Sequence, residues 1–398
     1  MQLTKVTVGA LAVVLVVACA GAPVAALSQP YPGAVIRSEA TEQPELRAYT
    51  AALMEEETGA LLYGKDALRR RAPASLTKIM AAIVAIERGI LDDEVRIPAR
   101  AAYIHGSSMH LRPGDVFTLR DLLWGLLMVS GNDAALAIAI HVGGGSEAEF
   151  IRMMNEKAFE IGAYQTRFQN PHGLTAPNHY STAYDLALIT RYALQYELFR
   201  EIVGTKQRKV TGRDRHGRKR TLLLNNTNKL LYAYPGAEGV KTGTTAAAGR
   251  CLVASARRGG LRLIAVVLHA GDRWYEARRL LDYGFENFTR RRVLSRGEVL
   301  RELPVKGGMA EEVPVGPAAD LDIVMPRDVG PPLIALRSPE VLRAPVGRGQ
   351  KVGFIVVSHQ GEPLRRVDLV ALGDVAEVTL PRVIRRMLEV FLDPAFPF

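Results

Sequence analysis

Ser75 and Lys78 stand three residues apart in Ser75-Leu76-Thr77-Lys78. On a helix that spacing puts both on one face, within reach of each other. A serine hydroxyl is a poor nucleophile until a base takes its proton. A lysine serves as that base only when neutral, and burial among Ile79, Met80 and Ile83 favours the neutral amine. The first helical turn also leaves free backbone N–H groups near Ser75, suited to an oxyanion. Ser130-Gly131-Asn132 offers a hydroxyl to shuttle a proton to a leaving amine and an amide to hold a substrate peptide, or else ordinary helix capping. Lys241-Thr242-Gly243 supplies donors for a carboxylate beside a glycine that lets a substrate backbone approach a strand edge; alone it could be a tight turn. An S-x-x-K arises by chance about once in a chain of this size, so the argument rests on all three motifs in order. His172, between Pro171 and Gly173, is a further candidate base, although its neighbours favour a loop residue beside the cleft.

The elements that must position these groups follow from local patterning. Ala74 to Arg88 reads as a largely buried helix, with Pro73 at its start and Gly89 at its end. Leu119 to Val129, capped by Thr118, and Asp133 to His141 read as two helices joined at Ser130-Gly131-Asn132. Ala51–Met54 and Leu61–Tyr63 form an early hairpin around Thr58-Gly59, and strands return at Leu252–Ser255 and Leu261–Leu268. Strands at both ends with helices between imply an α+β unit whose terminal strands complete one sheet. From about residue 293 short strands alternate with Gly and Pro, at Glu312–Val315, Asp320–Met325, Leu333–Leu336, Lys351–Ser358 and Arg366–Leu372. That pattern reads as a small all-β domain. In Leu380 to Leu392 the residues Val383, Ile384, Met387, Leu388 and Phe391 fall at helical spacing, flanked by Arg382, Arg385 and Arg386. Such a basic amphipathic helix either lies on a membrane surface or packs on its own domain.

The chain has 398 residues, 48% of them hydrophobic, and a formal net charge of +10, enough for two domains and a taste for anionic surfaces. Met1–Lys5 is basic, Val6–Val17 is apolar and short for a membrane span, and Val24-Ala25-Ala26 offers a cleavage site. A secretory leader over residues 1–26 is the expectation, with lipidation at Cys19 as the alternative, and export argues against nucleic acid as a partner. Once Cys19 leaves, Cys251 is alone in an apolar run and reads as a buried structural thiol. The absence of zinc spacing and of a Gly-rich phosphate loop indicates no metal and no cofactor. Lys206 to Arg220 carries eight Lys or Arg against one Asp, and reads as a solvated charged hairpin or a contact for anionic polymer.

Several longer blocks now converge. Pro73-Ala74-Ser75-Leu76-Thr77-Lys78-Ile79-Met80, Ser130-Gly131-Asn132-Asp133-Ala134 and Gly239-Val240-Lys241-Thr242-Gly243-Thr244-Thr245 resemble the three blocks of low-molecular-mass penicillin-binding proteins, the serine-type D-alanyl-D-alanine carboxypeptidases. Asn170 to Leu174, Ser181 to Asp185 and the helix from Arg273 to Phe285 resemble that family's remaining segments. The resemblance implies a β-lactamase/transpeptidase-like fold over residues 27–292, a β domain over 293–379 and a terminal helix over 380–398. It implies catalytic roles for Ser75, Lys78 and Ser130, and a substrate cleft of Asn132, Lys241, Thr242, Gly243, Thr244 and Arg273. Ser75 would attack the carbonyl between the two terminal D-alanines of a peptidoglycan stem peptide, and a β-lactam would acylate it. The backbone N–H groups of Ser75 and Thr244 would take the oxyanion, while Lys241, Thr242 and Arg273 would hold the terminal carboxylate. The implied location is the periplasm or the outer face of the cytoplasmic membrane. A β-lactamase of the same superfamily is the nearest rival. Gly131 in place of its Asp, the trailing β domain and the lack of a Glu-x-x-x-Asn motif count against it. Two further readings are an endopeptidase that cleaves D-alanyl cross-links and a non-catalytic wall-binding protein.

Overall fold

The computed structural model describes residues 42–359, 361–381 and 384, together with the backbone of 15–17. The expected leader over 1–26, with Cys19, and the expected terminal helix over 380–398 otherwise lie outside the described residues. Two compact units result, one of residues 42–289 with 326–328 and one of 290–325 with 329 onward. The α+β unit followed by an all-β unit is the fold class expected from the sequence.

The first unit is built on a five-stranded antiparallel sheet. Its strands are β1 (Thr50–Glu55), β2 (Leu61–Lys65), β3 (Ala237–Thr245), β4 (Gly249–Arg258) and β5 (Leu261–Ala270), in the order β2-β1-β5-β4-β3. β1 therefore pairs with the last strand, Leu53 opposite Ala265. β5 is apolar along nearly its whole length because helices cover both faces of the sheet. β3, which carries Lys241-Thr242-Gly243, forms one edge.

The longer helices are α1 (Thr77–Arg88), α2 (Leu119–Met128), α3 (Asn132–Val142), α4 (Glu147–Ile161), α5 (Ala183–Ala193), α6 (Glu197–Gly204) and α7 (Arg273–Asn287). α1 is the central one, packed against α2, α3, α4 and α5. Ile79, Met80, Ile83 and Val84 are buried in it, each contributing about 2 kcal/mol of hydrophobic stabilisation. Thr118 caps α2 by accepting from Asp121 N, as its position in the sequence implies. Asp272 caps α7 in the same manner and sets Arg273 at its first turn.

The strands Gln207–Arg213 and Lys219–Asn225 make the charged hairpin, which joins Val116–Thr118 and Glu94–Arg96 in a separate four-stranded sheet. Much of its charge is met locally. Arg213 pairs with Glu94 at 2.6 Å, Arg218 with Asp214 at 2.8 Å, and Arg220 with the buried Asp115. Val116–Thr118 and Glu94–Arg96 have no strong pattern of their own, and the sequence reading passes over them.

In the second unit the sheet runs in the order Leu333–Arg337, Lys351–His359, Glu362–Ala371, Glu312–Pro317, Arg301–Lys306 and Leu342–Arg343, with Leu15–Val17 beside the first of these. Leu321–Pro326 pairs instead with Phe288–Leu294. Leu303, Val313, Val315, Ile355, Val357 and Leu369 are among the residues that close its core.

Candidate active site

Ser75 sits in a single 3₁₀ turn, Ala74–Leu76, that leads directly into α1. Ala74 has φ of +50°, a left-handed conformation that costs a non-glycine residue about 1–2 kcal/mol. Surrounding structure enforces it. A Cβ on Gly173 would lie 1.9 Å from the Ala74 carbonyl oxygen, and one on Gly243 would lie 3.1 Å from both the Ala74 Cβ and the Ser75 nitrogen. Only glycines on the 170s loop and on β3 let those two segments close over the nucleophile.

Lys78, one turn along, is fully buried. Its Nζ lies 3.0 Å from Ser75 Oγ, 2.7 Å from Asn132 Oδ1 and 2.6 Å from the His172 carbonyl oxygen. Burial, and then the charge of Lys241, hold this amine well below the ordinary lysine range, against a smaller opposing pull from Asp133. A neutral amine has two N–H bonds and one lone pair. The His172 oxygen is a pure acceptor. So is Asn132 Oδ1, whose identity is fixed because the same amide donates from Nδ2 to the His105 carbonyl at 2.7 Å. In its neutral form the amine commits both N–H bonds to these oxygens, which leaves the lone pair for the Ser75 hydroxyl 3.0 Å away.

The Ser-Gly-Asn segment is a tight joint between α2 and α3. Ser130 is 5% exposed and has φ of +62°. Gly131 N donates to Gly125 O. The following Asp133 is buried and accepts from Ser108 Oγ, Met109 N, Leu111 N and Ala134 N, which pins the 108–111 loop to the joint. A Cβ at Gly131 would stand 2.6 Å from Asp133 Oδ1 and 3.1 Å from Met109 N, so a larger residue here requires the Asp133 carboxylate to move off its backbone donors.

Lys241 is buried on β3, donates to the Thr242 carbonyl, and is pushed down to about 7 by burial and then by Arg273. Thr242 Oγ1 meets Thr227 Oγ1 at 3.0 Å. Arg273 reaches from α7 to donate to Gly243 O and Thr244 Oγ1, each at 2.9 Å, while its buried Nε has no protein acceptor. Lys241, Thr242, Gly243, Thr244 and Arg273 thus share one end of the sheet, and Ser75, Lys78 and Asn132 are joined by hydrogen bonds. Gly243 brings the two sets close, since a Cβ built on it would stand only 3.1 Å from Ser75 N. A carboxylate held at this end is bound best while Lys241 is protonated, so KM for an acidic substrate is expected to rise as pH passes about 7. A KM that stays flat from about pH 6 to 9 would count against Lys241 as a clamp.

His172 contributes its carbonyl. Its ring is held neutral, down to about 3, by burial and then Lys78, and its Nδ1 accepts from Leu174 N at 3.2 Å. Asn132, expected as a donor to substrate, also serves Lys78 as an acceptor. Thr227, the His172 carbonyl and the turn at Ala74 were not singled out from sequence, since main-chain acceptors and positive φ leave little trace there. Cys251 is buried, and burial pushes its thiol up to about 11, as suits a structural residue.

A serine whose hydroxyl lies 3.0 Å from a buried lysine amine, beside a cationic strand edge on this α+β scaffold, defines an active-site-serine enzyme of the penicillin-interactive class. The sequence pattern described as D-alanyl-D-alanine carboxypeptidase matches residues 37–272, and the chain belongs to that family. Residues 288–377 match the pattern described as penicillin-binding protein 5, C-terminal domain. The D-alanyl-D-alanine carboxypeptidase DacF of Bacillus subtilis (strain 168) is 34% identical over 369 residues, covering 90% of this chain and 94% of its own. DacD of Escherichia coli (strain K12), also named a D-alanyl-D-alanine carboxypeptidase, is 34% identical over 355 residues, with 84% and 89% covered. Among solved structures, penicillin binding protein 5 from Haemophilus influenzae aligns with a TM-score of 0.73 at 31% identity, over 85% of this chain and all of that one.

Proposed function

We propose that this chain is a serine D,D-carboxypeptidase that removes the terminal D-alanine from peptidoglycan stem pentapeptides. The observation that carries the reading is the buried Lys78 amine, 3.0 Å from Ser75 Oγ and bonded to two carbonyl oxygens, with burial favouring its neutral form. In this mechanism Ser75 Oγ bonds to the carbonyl carbon between the two D-alanines as its proton passes to Lys78 Nζ. The oxyanion is held by the N–H groups of Ser75 and Thr244. As the C–N bond breaks, Ser130 hands a proton to the departing amine and is restored from Lys78. Lys241, Thr242 and Arg273 hold the terminal carboxylate. Water then cleaves the acyl-enzyme ester, returning the Ser75 hydroxyl and releasing the shortened peptide.

A β-lactam presents a reactive amide and a carboxylate at similar spacing, so it enters the same path and stops at the ester. Gly131 in place of the lactamase Asp and the trailing β domain support this reading over a lactamase. The residue 1–26 leader supports action outside the cytoplasm, at the periplasmic or outer face of the membrane, and the 380–398 segment supports a contact with that surface. Mature protein incubated with a stem pentapeptide should release free D-alanine, and with a labelled penicillin should yield one persistent adduct on Ser75. Rapid catalytic turnover of penicillin, or the lack of D-alanine release, would sink the proposal.

A further inference from the structure

Behind Ser75 lies a chain of hydrogen bonds that the acylation chemistry does not itself use. Gln169 N donates to His179 Nδ1 at 3.2 Å, so that ring nitrogen carries no proton. His179 is 6% exposed and neutral, since burial holds it down to about 4. Its proton is therefore on Nε2, which lies 2.9 Å from Thr77 Oγ1. Thr77 Oγ1, accepting from the ring, donates to the Ala74 carbonyl oxygen at 2.8 Å. The Phe168 ring, edge-on to His179 at 5.9 Å, keeps the imidazole in place.

The Ala74 carbonyl and the Ser75 N–H belong to one planar peptide unit, in which the C=O and N–H bonds point in opposite directions. Gripping the oxygen therefore aims the N–H. Hydrogen bonding at the oxygen also polarises the unit and makes its N–H a stronger donor. Gly173 and Gly243 lie close to this same unit, so that the hydrogen bond at its oxygen sets its tilt within a narrow space.

We propose that His179 and Thr77 are positioning residues that fix and polarise the Ser75 N–H as an oxyanion donor through the Ala74 carbonyl. The inference rests on the proposed role of that N–H in the carboxypeptidase mechanism. It separates Thr77 and His179 from structural helix-start residues, because their effect falls on the transition state and not on substrate binding.

The test compares the full-length Thr77→Val, Thr77→Ser, His179→Ala and His179→Gln variants with the parent, by penicillin acylation rate and by kcat and KM for pentapeptide. Thr77→Val should slow acylation about 10- to 100-fold with KM within about twofold, since the donor is misaligned but not deleted. Thr77→Ser should recover most of the rate. Gln can offer an N–H where His179 Nε2 stands, so His179→Gln should exceed His179→Ala. The infrared stretch of the ester carbonyl in the penicillin adduct should shift to higher frequency in Thr77→Val and His179→Ala, reporting a weaker oxyanion site. Parent-like acylation and an unshifted carbonyl in folded Thr77→Val overturn the proposal, as does a loss confined to KM. If Thr77→Val does not fold, the His179 pair and the carbonyl frequency decide it. Failure of the underlying function looks different, because the parent itself would then form no adduct and release no D-alanine.

Discussion

Lys78→Met is expected to lower the rate of penicillin acylation and of D-alanine release by about 10²- to 10⁴-fold, the usual contribution of a general base. Methionine keeps most of the volume and removes the nitrogen that lies 3.0 Å from Ser75 Oγ. Its effect on stability should be small, because two large costs oppose one another. The variant leaves Asn132 Oδ1 and the His172 carbonyl without a donor, at about 1–3 kcal/mol each. It also removes a buried amine whose charged form the site resists. A melting temperature close to the parent's, beside a near-dead active site, is the pattern to look for in parallel thermal and penicillin-labelling measurements. Acylation within tenfold of the parent would show that another group takes the serine proton.

Gly173→Ala is the second large effect expected. The new methyl would sit 1.9 Å from the Ala74 carbonyl oxygen and 2.9 Å from the Ser75 nitrogen, both main-chain atoms that have little room to retreat. The residue also has φ of +87°. We expect about 2–4 kcal/mol of destabilisation and at least a ~100-fold loss of acylation, because relief requires moving the nucleophile's own turn. Gly162→Ala separates the two causes. Gly162 has φ of +91° but nothing within 4 Å of a Cβ, so it should cost only about 1–2 kcal/mol and leave activity intact. Equal activity losses in both variants would refute a specific contact at Ser75.

The placement of the candidate site was legible in the sequence wherever side chains set it. Ser75 with Lys78, the Ser130–Asn132 joint and the Lys241–Gly243 strand all read correctly as to local structure, because helix period, capping by Thr118 and an apolar strand each leave a pattern in residue type. What depends on main-chain oxygen and on dihedral angle was not legible. Nothing in the type of His172 says that its carbonyl and not its ring meets Lys78. Nothing in Ala74 announces a left-handed turn, since neighbouring segments impose it from a distance. Glu94–Arg96 and Val116–Thr118 were missed because they are too short to alternate clearly. They are strands because they pair with each other, Val95 opposite Phe117, at a range no local pattern reports.

The pairing of β1 with β5 bears on when the molecule becomes an enzyme. Leu53 meets Ala265 roughly two hundred residues downstream, a separation that makes folding slow. Gly243, on the other side of β4, packs on the Ser75 turn from the same late part of the chain. A chain of which only the first half has emerged from its ribosome has Ser75 and Lys78 but neither the strands nor the glycine that shape their turn. Its active site is incomplete until the final strands of the sheet are made.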